Sequence, residues 1–132
     1  MSALEKIVLV VEDEPGLAYI FSEILASQGV VTHVASNGKE ALQKVASIQP
    51  KLDLILCDLS MPIMGGLEFF KAGLKTHGHL PVVMLTAHSD ESTVSECLQL
   101  GAIDYIIKPF DLELLRKNLP VWIEKGRHQR AG

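Results

Sequence analysis

The sequence predicts an α/β fold in which five strands alternate with five helices around one doubly wound parallel sheet. Five short apolar runs recur at spacings of roughly 20 to 30 residues, and between them the apolar positions change to a helical spacing. The chain has 132 residues, of which 48% are hydrophobic and 21% charged, which suits a single compact domain. Right-handed crossovers then place helices on both faces of the sheet.

The predicted strands differ in polarity, and this difference indicates their positions in the sheet. The first, third and fourth runs are almost wholly apolar, as central strands covered on both faces must be. The second run contains Thr32 and His33, so we place it at an edge. The five runs cover residues 7–11, 30–35, 52–57, 82–85 and 103–107.

Helix signals lie between the strands. Asn37 and Glu40 form a capping pair that opens a second helix, which should end before Pro50. Ser89 is a candidate cap for the fourth helix, and Gly29 and Gly101 stand where the first and fourth helices should stop. The apolar faces of the first four helices are Leu17, Ile20, Phe21, Ile24 and Leu25; Ala41, Leu42 and Val45; Leu67, Phe70 and Leu74; and Val94, Cys97 and Leu98.

The fifth helix opens at Asp111 and is followed by a polar segment. We expect it to bend or break near Pro120, because proline cannot donate to the carbonyl of Arg116. The sequence from Gly126 onward, GRHQRAG, is typical of a tail that frays. The predicted domain therefore covers residues 1–125, and residues 126–132 form a polar tail.

Composition argues against several classes of protein. The net charge is −4 and the largest basic cluster spans residues 127–130, so direct binding of nucleic acid is not expected. The apolar runs are far shorter than the ~20 residues of a membrane helix, and residues 1–6 lack a signal-peptide core. We therefore expect a cytoplasmic protein without membrane contact, in which Cys57 and Cys97 are reduced and structural.

Polar side chains follow four of the five strands. Glu12 and Asp13 follow the first, Asp58 the third, Thr86 the fourth and Lys108 the fifth. Ligands of doubly wound sheets bind outside the carboxyl ends of the strands, so these groups should meet in one place. Three carboxylates that crowd together indicate a cation among them. Oxygen ligands without histidine or cysteine favour Mg²⁺, with Mn²⁺ as the second choice.

Asp58 is the strongest candidate for a nucleophile. An aspartate beside a metal ion can attack phosphorus, and Lys108 and Thr86 could then contact the phosphoryl oxygens. Taken alone, Asp13 could equally be a helix cap and Thr86 a cap or turn residue. A carboxylate that ends a wholly apolar strand, as Asp58 does, loses solvation unless something compensates.

Four motifs at these strand ends resemble a known family. They are VLVVEDEP at residues 8–15, DLSMPIMGG at 58–66, LTA at 85–87 and DYIIKPF at 104–110. Together they resemble the receiver domain of bacterial two-component response regulators, in a chemotaxis-regulator-like form, over nearly the whole chain. The resemblance implies a flavodoxin-like sheet with the strand order 2-1-3-4-5.

The resemblance also implies roles for the polar residues. Asp58 corresponds to the phosphoacceptor, Lys108 to the family's lysine, and Glu12 and Asp13 to the acidic pair for Mg²⁺. The backbone carbonyl of Ser60 would complete the protein ligands of the metal. The phosphoryl donor would be a histidine kinase or a histidine phosphotransfer protein, and the domain would catalyse both its own phosphorylation and its hydrolysis.

Signal output is implied in the same way. Thr86 corresponds to the switch hydroxyl and Tyr105 to the aromatic switch residue. Their positions imply that an output domain or partner protein contacts the fourth helix, the fifth strand and the fifth helix, and that phosphorylation can produce a homodimer. Gly65 replaces the acidic residue that usually precedes the family's glycine, and Ser60 and His88 flank the site with unusual side chains.

Three alternatives remain at this stage. An electron carrier with a flavin would need hydroxyl and glycine amides where the chain has EDEPG, and a phosphohydrolase would need an acid where it has Ser60. A degenerate receiver that binds proteins without phosphorylation is the third. The intact set of Asp58, Thr86 and Lys108 argues against it.

Overall fold

The computed structural model describes residues 5–48, 51–87 and 90–131. Strands and helices alternate throughout these residues, as predicted. The elements are β1 (Lys6–Val11), α1 (Pro15–Ser27), β2 (Val30–Ala35), α2 (Gly38–Ile48), β3 (Leu54–Asp58), α3 (Gly66–His77), β4 (Val82–Thr86), α4 (Glu91–Gln99), β5 (Asp104–Ile107) and α5 (Leu112–Ala131).

The five strands form one parallel sheet in the order β2-β1-β3-β4-β5. The predicted flavodoxin-like order is confirmed, and β2 lies at an edge as its polarity indicated. The register pairs Val11 with Cys57 and Asp58 with Leu85, so β1, β3 and β4 end side by side. The residues that follow these strands therefore share one edge of the sheet.

Each face of the sheet has its own apolar core, because successive side chains of a strand point to opposite faces. In β1, Val8 and Val10 pack with α1 and α5, whereas Leu9 and Val11 pack with α2, α3 and α4. All four side chains are fully buried. Burial of each side chain of this size contributes about 1.5–3 kcal/mol, which fixes the strand ends in place.

Side-chain caps begin two of the helices as predicted. The Oδ1 atom of Asn37 accepts a hydrogen bond from the backbone nitrogen of Glu40 at 2.9 Å. Asp111 Oδ1 accepts one from the backbone nitrogen of Glu113, also at 2.9 Å. The predicted cap at Ser89 lies outside the described residues.

The prediction that α5 breaks at Pro120 is wrong, because the helix is continuous from Leu112 to Ala131. Pro120 cannot donate to the carbonyl of Arg116, but the side-chain amide of Gln28, at the end of α1, donates to that carbonyl at 3.2 Å. A group from another helix thus replaces the missing donor. Among the described residues no helix, including this one, is long and apolar enough to cross a membrane.

Residues 126–131, which the sequence analysis assigned to a polar tail, form the last turns of α5. Gly126 is buried against β3, where a Cβ atom would overlap the carbonyl of Asp53. The Nε atom of Arg127 lies 3.1 Å from Oδ1 of the fully buried Asp53, and the guanidinium also donates to the carbonyl of Glu5. Although the composition of residues 126–131 is typical of a tail, one ion pair and one close backbone approach therefore hold this segment against the domain.

Trp122 connects α5 to β5. Its ring is 2% exposed, and its Nε1 atom donates to Oδ2 of Asp104 at 3.1 Å. A buried indole needs such a partner for its N–H group. The contact fixes the rotation of α5 next to the strand that carries Tyr105.

Candidate functional site

Three carboxylates meet at the carboxyl ends of β1 and β3. Glu12 and Asp13 directly follow β1, and Asp58 is the last residue of β3. One oxygen atom of each lies within 4.8 Å of the others. Glu12 is 2% exposed and Asp58 4% exposed, while Asp13 is exposed to solvent. The edge of the sheet therefore brings together the acids that the sequence singled out.

Asp58 is held by a donor on each of its oxygen atoms. The Nζ atom of Lys108 lies 2.7 Å from Oδ2, and the backbone nitrogen of Ser60 donates to Oδ1 at 3.1 Å. Lys108 also lies 3.8 Å from Oε1 of Glu12, and its peptide bond to Pro109 is cis. The carboxylate thus has a fixed orientation at the end of a buried strand.

The charges of the site alter two pKa values. Burial, together with the charge of Asp58, raises the pKa of Glu12 to about 7, although the Glu14 N–H and Lys108 act in the opposite direction. Partial burial alone would lower the pKa of Lys108, but the hydrogen bond and charge of Asp58, with the charge of Glu12, raise it overall. Without a further cation, the single positive charge of Lys108 is thus not enough to neutralise the carboxylates of Asp58 and Glu12.

The donor set suits a hard divalent cation. The Oε1 atom of Glu12 is buried and has no hydrogen-bond partner in the described part of the chain. Asp13 does not cap α1, since Glu14 occupies the N-cap position and no side chain caps that helix. Two of these acids therefore have oxygen atoms that no structural role uses, and oxygen ligands are what Mg²⁺ prefers.

Thr86 lies at the same edge of the sheet, but its hydroxyl contacts Ala87 and Asp90 rather than the three carboxylates. The side chain is 2% exposed, and Oγ1 donates to the carbonyl of Ala87 at 3.0 Å and lies 3.4 Å from Oδ2 of Asp90. Tyr105, on the neighbouring β5, is 40% exposed. Thr86 and Tyr105 line a cavity of about 310 Å³ together with Val94 and Leu98 of α4. His88, predicted to flank the site, lies outside the described residues.

The sequence analysis missed the contact between Thr86 and Asp90. Asp90 stands out in the sequence only as an acid near the start of the fourth helix. The signal available was its spacing of four residues from a strand-end threonine. That spacing does not reveal which way either side chain points.

A model of the response regulator receiver domain matches residues 8–120. The chain belongs to this family. The predicted resemblance is thus confirmed, and the fold and motif positions described above are those of a receiver domain. Nothing among the described site residues favours a degenerate receiver, because the three acids, Thr86 and Lys108 are all at the strand ends.

Curated relatives are longer than this receiver domain. Regulatory protein AtoC of Escherichia coli is 41% identical over 115 residues, which cover 87% of this chain and 24% of that protein. The DNA-binding response regulator MtrA of Mycolicibacterium smegmatis is 38% identical over 110 residues, covering 83% of this chain and 47% of its own. The chain therefore spans about a quarter of the length of the first relative and about half of the length of the second.

Solved structures agree with the fold. The Vibrio cholerae chemotaxis protein CheY4 is 32% identical with a TM-score of 0.79, and the match covers 89% of this chain and 98% of that one. A receiver domain protein from Clostridium thermocellum has a TM-score of 0.85 at 23% identity, covering 96% of this chain and 97% of that one. The latter likeness concerns the fold alone.

Proposed function

We propose that this receiver domain accepts a phosphoryl group on Asp58 from a phosphohistidine of a histidine kinase or histidine phosphotransfer protein. The contact of 2.7 Å between Lys108 and Asp58, at the edge that also carries Glu12 and Asp13, is the observation that supports this function best. This contact fixes the orientation of the nucleophile, Asp58. It also places the cation of Lys108 where it can bind the negative charge of a phosphoryl group on Asp58. Asp58 is also the only one of the three acids that ends the central strand β3.

The transfer needs one bond to form and one to break. An oxygen atom of Asp58 attacks the phosphorus atom, the bond between phosphorus and the donor imidazole nitrogen breaks, and that nitrogen keeps the electron pair. Lys108 exchanges its carboxylate contact for a phosphoryl oxygen, to which an ammonium group donates well. Thr86 donates to a second phosphoryl oxygen, for which its hydroxyl must leave its present acceptors.

The acidic cluster would hold Mg²⁺, with Mn²⁺ as the second choice. Its ligands would be Glu12, Asp13, Asp58 and the backbone carbonyl of Ser60, and the Oε1 atom of Glu12, which accepts no hydrogen bond among the described residues, supports this assignment. When bound, the ion neutralises charge at the transferring phosphoryl group. The protein residues themselves fix Asp58 and exclude water from its strand side.

The phosphorylation signal would pass to a partner through the surface formed by α4, β5 and α5. Tyr105 lies on β5, and Thr86 lies at the end of the neighbouring β4. A partner protein or output domain would bind this surface in the cytoplasm, and phosphorylation could also join two copies. Relatives that include DNA-binding regulators are much longer than this chain. We therefore confine the proposal that nucleic acid is not a direct ligand to the receiver domain, whose net charge is −4.

The phosphoacceptor assignment is tested with acetyl phosphate and Mg²⁺, followed by the mass of the intact protein. We expect a single phosphoryl adduct on the wild type and none on Asp58→Asn. Asp104→Asn, which alters an acid outside the cluster, should still be modified. An adduct that survives Asp58→Asn, or an unmodified wild type, would contradict the proposal.

The metal assignment is tested by calorimetric titration with MgCl₂. Asp13→Asn should weaken binding at least tenfold, because a site with few carboxylates loses much of its charge with one of them. Glu14→Gln is the matched control, since this neighbouring acid stands outside the cluster. Equal affinities of wild type and Asp13→Asn would refute the ligand set.

A further inference from the structure

The segment that carries Lys108 is attached to the rest of the domain on both sides. On one side, the backbone nitrogen of Lys108 donates to the carbonyl of Thr86, the last residue of β4, at 2.8 Å. On the other side, Phe110 packs against the core that α1 and α5 share with the sheet. Its ring centroid lies 5.5 Å from that of Phe21, and the two ring planes are inclined at 55°. This separation is typical of a favourable aromatic pair.

Phe21 provides a rigid base for this contact. Its side chain is fully buried in α1, the helix that follows Glu12 and Asp13 along the chain. The strands that precede the two rings, β1 and β5, are not neighbours, because β3 and β4 lie between them. The ring pair therefore joins the segment that carries the acids to the segment that carries Lys108 and Phe110, outside the hydrogen bonds of the sheet.

Lys108 has to reach from the end of β5 across β4 to the end of β3. Neighbouring strands are about 4.8 Å apart, so this distance is about 10 Å. The side chain is a flexible four-carbon stem, yet its Nζ atom lies 2.7 Å from Oδ2 of Asp58 and 3.8 Å from Oε1 of Glu12. The direction in which the stem leaves the backbone therefore matters, and both attachments of the segment determine it.

We infer that Phe110, through its contact with Phe21, is a positioning residue that holds the ammonium group of Lys108 beside the reacting carboxylate. This inference rests on the proposed phosphorylation of Asp58. Without the ring, residues 108–111 lose their attachment to α1, and the ammonium group no longer stays where charge develops on the phosphoryl oxygens. Phe110 thus acts on the transfer step through Lys108, while the metal ligands remain in place.

Phe110→Leu removes the ring but keeps an apolar side chain at the edge of the core. The full chain is incubated with acetyl phosphate and Mg²⁺, the intact mass is followed with time, and the rate is divided by the folded fraction measured by circular dichroism. We expect the rate to fall about tenfold, because a small misplacement of a reacting group is costly. Phe110→Tyr, which keeps the ring, should restore it. Phe70→Leu, the same change at a fully buried position of the opposite core, should leave it unchanged.

A Lys108→Ala background makes the inference specific. Lys108→Ala alone should slow the modification, and adding Phe110→Leu should slow it no further, because no ammonium group is left to position. Phe21→Leu should behave as Phe110→Leu does in both backgrounds. Equal slowing by Phe110→Leu with and without Lys108, or an unchanged rate in Phe110→Leu, would overturn the role of Phe110. A wild type that acetyl phosphate does not modify would instead overturn the proposed function, and the inference with it.

Discussion

The backbone nitrogen of Gly38 donates to the carbonyl of Met64 at 2.9 Å, and a Cβ atom at Gly38 would lie 2.7 Å from Cγ of Met64. The first residue of α2 is thereby in direct contact with the loop that follows Asp58. The same loop returns to the sheet at Gly66, whose nitrogen donates to the carbonyl of Leu59 at 3.0 Å. Its position depends on the absence of a side chain at Gly38.

Gly38→Ala should therefore displace this loop. We expect a loss of about 1–3 kcal/mol in the free energy of unfolding, the usual cost of overpacking, together with weaker Mg²⁺ binding. Gly16→Ala is the control, because no atom lies within 4 Å of its added Cβ, and a helical alanine should stabilise the protein slightly. Urea denaturation of both variants measures the difference, and similar stabilities would contradict this account.

Gln28→Ala tests the substitute donor for α5. The variant leaves the carbonyl of Arg116 without its side-chain partner, and we expect a loss of about 0.5–1 kcal/mol, since the bond is exposed. In a Pro120→Ala background the helix regains its own donor at position 120, so the same substitution should cost less than half as much. Thermal or urea unfolding of the four proteins completes the double-mutant cycle, and additive losses would show that the two positions are independent.

The edge position of β2 and the composition of the site were predictable because local polarity reflects burial, whereas the full strand order was implied by the resemblance of the four motifs to receiver domains. Central strands are apolar on both faces, the edge strand carries Thr32 and His33, and parallel strands all end at one edge. The acids and Lys108 consequently had to meet once the order was known. This prediction did not depend on knowing which distant side chains contact each other.

Features that depend on particular distant partners were not predictable. The continuity of α5 at Pro120 depends on Gln28, which is 88 residues away from Arg116. Ile20, expected on the core face of α1, is 42% exposed, while the smaller Ala18 is buried. The contact of Arg127 with Asp53 joins residues 74 positions apart, so composition alone indicated a tail.

Glu12→Gln should stabilise the protein when no metal is present. The folded state raises the pKa of Glu12 from 4.5 to about 7, so it binds this proton more tightly than the unfolded chain. The contribution of Glu12 to stability therefore falls as the pH rises from 4.5 towards 7, and the loss is complete above that range. With EDTA, we expect Glu12→Gln to be more stable than wild type by about 2 kcal/mol near pH 8.

The same comparison in acid provides the check. At about pH 4.5 most of Glu12 is protonated in the folded state, so the difference between the two proteins should nearly disappear. Urea denaturation at both pH values measures it. A difference that does not change with pH would mean that packing, rather than charge, separates the two side chains.

Arg127→Met should destabilise the domain although it changes a residue near the end of α5. It removes the contact of 3.1 Å between Nε of Arg127 and Oδ1 of the fully buried Asp53, and loss of one side of a buried ion pair costs about 3 kcal/mol. Arg116→Met, an exposed arginine on the same helix, should change stability by less than about 0.5 kcal/mol. We propose on this basis that the domain extends beyond residue 125, and a truncation there that unfolds like the full chain would contradict it.

The single tryptophan is an intrinsic fluorescence probe whose position in the fold is known. Trp122 lies in the core between the sheet, α1 and α5, and none of the core on the α2, α3 and α4 side contains another indole. Its fluorescence therefore follows the packing of one face only, whereas circular dichroism follows helices on both. Coincident unfolding curves from the two signals would establish that the two faces of the sheet lose their structure in a single cooperative step.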